Sequence, residues 1–261
     1  MHEVLAEIGA WRSRYLDGPL FSYLADEQRT PADRLRFAPY LAFFSLSFRD
    51  LHLRILEESS APEDPIERWL VRNSREELRH LSLGRNLGPG DNFLFAELAA
   101  WGLDRAVDVR SVLQFLWGED TRLTRRVFGD IYHLYRSASP VGRVVIVQAM
   151  ETSSGAFFIA VRPVVEALER QTGVTHPWFG QGHLEAETEH ALLLEGGQAW
   201  MASLPLDDSG RQEALRLVGD VYRILMAWTD EMLACLERPP ERSDLAWLGL
   251  PARPVPEGAG G

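Results

Sequence analysis

The chain has 261 residues, 46% hydrophobic and 25% charged, enough apolar material for one large domain or two small ones. Its formal net charge of −11 argues against nucleic acid or an anionic membrane surface as the main partner, since both would repel it. Cys235 is the only cysteine, which excludes an intrachain disulfide and a zinc site built on several thiolates.

Apolar spacing is helical along almost the whole chain, and period-two alternation is scarce. Residues 3–16 and 20–28 read as short helices. Thr30-Pro31-Ala32-Asp33 reads as an N-cap, a first-turn proline and an acidic third position, opening a long helix to about Glu58. Asp64-Pro65-Ile66-Glu67 repeats that logic and starts a helix to about Leu87, stopped by Gly88-Pro89-Gly90. Helices over about 91–102 and 108–136 follow. Ser139-Pro140 starts another that ends near Thr172-Gly173. A helix from about 177 to 203 comes next, then a last one ending near Glu237. The expected organisation is one helical domain over 1–238 and a Pro/Gly-rich tail over 239–261. The first residues, Met1 to Glu7, lack the basic and apolar regions of a secretory signal, and no uncharged apolar run approaches about 18 residues. A cytoplasmic protein without a membrane span is the expectation.

The most informative stretch is His183-Leu184-Glu185-Ala186-Glu187-Thr188-Glu189-His190. On a helix, offsets of i, i+4 and i+7 fall at roughly 0°, 40° and −20°, so His183, Glu187 and His190 share one face. Two neutral imidazoles and a carboxylate suit a borderline metal such as iron or zinc. The plain alternative is an acidic solvated face with two spare histidines. Glu77 and His80 form a second Glu-x-x-His pair, the spacing found in di-iron carboxylate sites. Glu76 with His80 is an alternative pairing, and a salt-bridged surface over residues 75–79 is the plain one. Glu151 stands alone in an apolar and small-residue helix, where burial is costly without a partner or a metal. Its plain reading is a buried salt bridge to Arg143 or Arg162. His2, His52, His133 and His176 read as surface or connector histidines, and Phe43, Phe44, Phe157 and Phe158 as core packing.

The ordered set Glu77-x-x-His80, Glu151, His183-x-x-x-Glu187-x-x-His190 resembles the haem-oxygenase-like di-iron oxidases and oxygenases, built on the scaffold shared with haem oxygenase and the TenA proteins. In that family the last core helix carries His-x-x-x-Asp/Glu-x-x-His, with a single Glu about thirty residues earlier. Glu151 and His183 are 32 positions apart. Trp178-Phe179-Gly180-Gln181-Gly182-His183-Leu184 is similar to the family's approach to that helix. Phe37-Ala38-Pro39-Tyr40-Leu41-Ala42-Phe43-Phe44 and Ser47-Phe48-Arg49-Asp50-Leu51 are similar to an early core helix in one branch. The resemblance spans about residues 35–200. It implies an all-α haem-oxygenase-like (TenA-like) bundle of about seven core helices, holding iron on Glu77, His80, Glu151, His183, Glu187 and His190.

The resemblance further implies two irons per chain and O2 as co-substrate, with a small biosynthetic substrate oxidised. N-oxygenation or oxidative cleavage of an amine or amino-acid-like compound is the first choice. An external electron donor and a homodimer are compatible with it. One departure stands out. The family often supplies a further carboxylate from the early core helix, where this chain reads Phe43-Phe44-Ser45-Leu46. Asp50 is the nearest acid there, and with Glu76 it completes the candidate ligands; otherwise the second iron is bound more weakly. The alternatives are a metal-free TenA-like hydrolase or small-molecule binding module, a ferritin-like di-iron protein, and a purely structural helical interaction protein. Cys235, late in the last helix, is read as a buried spectator, and a haem is not expected because only His2 lies near the N-terminus.

Overall fold

The computed structural model of the chain describes residues 1–59, 63–83, 110, 114, 117–119, 122–176, 179 and 195–237; side chains at 39, 42–47, 79–83 and 195–198 lie outside the description. The described residues are all helical, with no strand among them. The elements are α1 (His2–Leu16), α2 (Pro19–Ala25), α3 (Pro31–Arg34), a 3-10 turn (Ala38–Tyr40), α4 (Leu41–Glu58), α5 (Pro65–Leu83), α6 (Arg122–Ser137), α7 (Pro140–Thr172), α8 (Glu195–Ser203) and α9 (Asp208–Glu237).

Helix α7 is apolar nearly all round and makes the centre of the packing. It buries Val144 to Val147, Ala149, Met150, Ser153, Ala156 to Phe158, Val161, Val164, Val165 and Leu168. Its neighbours follow from that composition: α9, α1, α3, α6, α2 and α5 all pack against it. Its ends are set locally. Ser139 Oγ accepts from the Gly142 amide at 3.1 Å and Pro140 takes the first turn. Gly173 closes the helix at φ +70°, a left-handed conformation suited to glycine, and its amide donates to the Glu169 carbonyl at 2.8 Å. Gly142 is small for a different reason: a Cβ there would come 2.8 Å from Leu217 Cδ1, so it permits the close crossing of α7 and α9. Pro163 interrupts the ladder inside α7, but it is exposed, as is Ile159, whose carbonyl loses its partner amide. By length and composition α7 could cross a membrane, with a mean hydropathy of 1.6 over its best window; 61% of that window is buried within this fold.

Two expected helices are broken. The N-cap at Thr30 forms, with its Oγ1 accepting from the Asp33 amide at 3.1 Å, but α3 ends at Arg34. Pro39 has no amide to donate and its ring clashes with the carbonyl four residues back, so a continuous helix to Glu58 is not available. The chain passes instead through three-residue bonds, Ala38 to the Leu35 carbonyl and Tyr40 to that of Phe37, before α4 begins. The helix expected over 108–136 is likewise interrupted, by a bend at Gly118. The reason lies in another part of the chain. The Glu231 carboxylate of α9 accepts from the amides of Leu123 (3.0 Å) and Thr124 (3.2 Å), capping a new helix start. Trp228 Nε1 donates to Thr124 Oγ1 at 2.9 Å, and Arg125 reaches back to the Gly118 carbonyl at 2.7 Å. The second short helix is also trimmed. It ends at Ala25, and Asp26 turns the chain by accepting from the Gln28 amide and the Arg29 side chain. The helix begun at Pro65 is described to Leu83, and the tail over 239–261 lies outside the described residues.

Burial pushes the Glu231 carboxyl above the usual carboxylate range, and the two amides, with Arg122 and Arg125, pull it back. Glu231→Ala would leave the Leu123 and Thr124 amides without this acceptor and should cost about 1–2 kcal/mol, the range of a lost N-cap. Glu231→Gln keeps one oxygen acceptor and should lose less. Urea unfolding midpoints check the order; a Glu231→Ala midpoint equal to wild type would show that the cap contributes nothing.

Candidate functional site

On α5 the side chains divide sharply by face. Arg68, Arg72 and Arg75 are exposed, whereas Trp69, Asn73, Ser74 and Glu77 are buried, with Asn73 at 0% and Glu77 at 3% exposure. Asn73 and Glu77 are four residues apart, one turn on the same face, so their Cβ atoms lie about 6 Å from each other. A salt-bridged surface does not describe this helix: Glu77 is interior, while Glu76 is half-buried. Ser74 joins α5 to α4 through a 3.0 Å hydrogen bond between its Oγ and His52 Nδ1, both residues being buried. The Phe48 ring meets the His52 ring edge-on at 4.5 Å.

Glu151 reaches this layer from α7. Asn73 Nδ2 donates to Glu151 Oε1 at 3.1 Å, linking positions 78 residues apart in sequence. The two arginines expected as its partners have contacts of their own. Arg162 pairs with Glu166 at 3.0 Å, and Arg143 lies over the Tyr135 ring at 5.1 Å. One turn on either side of Glu151 the helix is also polar: Thr152 Oγ1 donates to the Gln148 carbonyl at 2.8 Å, and Ser153 Oγ to the Met150 carbonyl at 2.8 Å. The packing of α5 on α7 therefore brings the Glu151 carboxylate to Asn73, one turn before Glu77 on α5.

The other candidate ligands fall in three groups. Asp50 lies on an exposed face of α4, while His52, two residues on, points into the α4–α5 interface. His80 belongs to α5, three residues beyond Glu77, but its side chain lies outside the described residues. His183, Glu187 and His190 also lie outside the described residues, as do the side chains of Phe43 and Phe44. The flanks of that stretch are anchored. His176 is buried, and its backbone amide donates to Glu169 Oε1 of α7 at 2.7 Å; Phe179 is fully buried. On the far side, Trp200 of α8 stacks on Trp69 of α5 with centroids 5.8 Å apart and planes 19° from parallel. Among the described residues, no three His, Cys, Asp or Glu side chains gather closely enough to hold a metal ion.

Reading the sequence for ligands missed Asn73, Ser74 and the burial of two histidines. His52 is interior, not at the surface, and His176 is buried although it lies in the connector after α7; His2 and His133 are exposed, and Cys235 is buried as expected. A signal existed for His52, which lies four residues after Phe48 and three before Ile55, on the apolar stripe of α4. It existed for Asn73 too, one turn before Glu77. No protein-family model matches this chain, and no curated protein matches it either. The chemistry of the site therefore rests on its own residues. Glu77 is buried on α5, and half-buried Glu151 on α7 accepts a hydrogen bond from Asn73 of α5.

Burial holds the His176 imidazole below its ordinary pKa, with Glu169 opposing the shift. The unfolded chain then takes up this proton from about pH 6.5 downward while the folded chain does not, so acidification favours unfolding. His176→Asn cannot titrate and should flatten that loss. Melting temperatures of both proteins at several pH values between about 7.5 and 5.5 check this; equal slopes would remove His176 from the pH dependence.

Proposed function

We propose that this protein is a non-haem di-iron oxidase or oxygenase on a haem-oxygenase-like (TenA-like) bundle, acting on a small amine or amino-acid-like substrate with O2. The observation that carries the proposal is the α5–α7 contact. Glu77, 3% exposed, lies one turn from Asn73, whose amide is bonded to Glu151. The Glu of a random surface Glu-x-x-His pair would not be interior, nor would it lie one turn from a residue bonded to the central carboxylate of the most apolar helix.

Glu77, Glu151 and Glu187 would supply carboxylates to the metals, and His80, His183 and His190 the imidazoles. The spacing around the Trp69–Trp200 stack supports this reading. His80 is eleven residues beyond Trp69, and His190 is ten residues before Trp200. Bound iron would supply one-electron and O2 chemistry. The chain's own part is to set the carboxylates, exclude water and hold the substrate. Asn73 turns the Glu151 carboxylate, and Phe158, seven residues beyond Glu151, continues the same face of α7 with an apolar wall. An external donor would return electrons, and a cytoplasmic setting fits iron loading.

His183→Ala and His190→Ala should lose iron and not only activity, while Asp50→Ala, at an exposed position, should keep it. Iron content after expression in iron-supplemented medium decides this; wild-type iron in both histidine variants would remove them from the ligand set. The iron-loaded wild type should consume O2 when given reductant and candidate amines, and anaerobic turnover at the aerobic rate would point to a hydrolase instead.

The early helix offers no acid at Phe43 or Phe44, so the two irons should bind unequally. Substrate that prefers the two-iron form must raise the weaker affinity by the same factor. Fe(II) titrations with and without candidate substrates check this, and two equally tight irons in the substrate-free protein would contradict it.

A further inference from the structure

We infer that Asn73 is the positioning residue of the site: it acts through Glu151, fixing which way that carboxylate presents its oxygens. The inference rests on the iron-binding reading above and assigns a role to a residue outside the ligand set. Asn73 is fully buried, and its Nδ2 lies 3.1 Å from Glu151 Oε1. A carboxylate can only accept, so the amide nitrogen, and not its oxygen, must face Glu151. The amide's Oδ1 has no hydrogen-bond partner among the described residues, so the polar link from this side chain runs to Glu151.

The position itself carries the argument further. Asn73-x-x-x-Glu77-x-x-His80 has the spacing of His183-x-x-x-Glu187-x-x-His190, with an amide where the second stretch has an imidazole. The sequence thus repeats one spacing, and the first copy has a hydrogen-bond donor where the second has an imidazole. An aspartate at 73 would set a second negative charge against Glu151 at hydrogen-bond distance, and a leucine would give it nothing. Asparagine keeps a short planar group that donates without adding charge. Partners of this kind, one step removed from the metal, orient ligands and typically change metal affinity by 10–100-fold when lost.

The test uses the full chain with Fe(II) titrated anaerobically, and Co(II) as a spectroscopic probe of the same site. The proteins are wild type, Asn73→Ala, Asn73→Leu, Glu151→Ala and the Asn73→Ala/Glu151→Ala double variant, each checked for a cooperative melt. Asn73→Leu fills a similar shape without a donor, so it reads the hydrogen bond should Asn73→Ala fail to fold. The expected result is iron binding weakened by about 10–100-fold in both Asn73 variants. Their Co(II) visible bands should also shift, and removing Asn73 should have no further effect once Glu151 is alanine. Wild-type affinity and wild-type Co(II) bands in the folded Asn73 variants would overturn the inference while leaving the iron site standing. An equal loss on removing Asn73 with and without Glu151 would also overturn it, because the residue would then act elsewhere. A wild-type protein that takes up neither metal would instead overturn the iron-binding reading, and the role of Asn73 with it.

Discussion

Everything in this fold answers to one central helix. Helix α7 buries most of its apolar side chains, and its central carboxylate, Glu151, is half-buried among the helices that surround it. Desolvating a carboxylate costs several kcal/mol, whereas a hydrogen bond to a charged group contributes about 1.5–3. The Asn73 amide supplies one such bond to Glu151.

Around Glu151 the interior separates into two kinds of packing. On one side an aromatic cluster forms the core: Phe157 meets Phe21, Phe37 and Phe158 edge-on, at centroid distances of 6.4, 5.8 and 5.5 Å. On the other side, where α4 and α5 approach α7, the buried residues are polar: His52, Asn73, Ser74 and Glu77. An apolar set of similar shape would pack there at lower cost. The polar layer ties three helices through two hydrogen bonds, His52–Ser74 and Asn73–Glu151. Both kinds of packing depend on α7 staying fixed between them. The long helix α9 supplies part of that fixity. It packs on α7 through the gap at Gly142, and it caps α6 with Glu231.

The sequence by itself determined the helical class, most helix starts and the residues worth testing. Those signals are local. Ser139, Thr30 and Asp64 cap the turns that follow them, Gly173 ends α7 with a positive φ, and 3.6-residue spacing reveals which positions share a face. Only the tertiary structure decided the rest, because each remaining feature depends on a partner far away in the chain. The break before α6 is sealed by Glu231, 108 residues from Leu123. His52 is interior because Ser74 and Phe48 enclose it, and Asn73 matters because α7 delivers Glu151 to it from 78 residues away. Glu77 and Glu76 are adjacent and chemically alike, and sequence spacing allows either to pair with His80. The packing of α5 separates them, since a helix turns by about 100° per residue and one buried face can admit only one of the two fully.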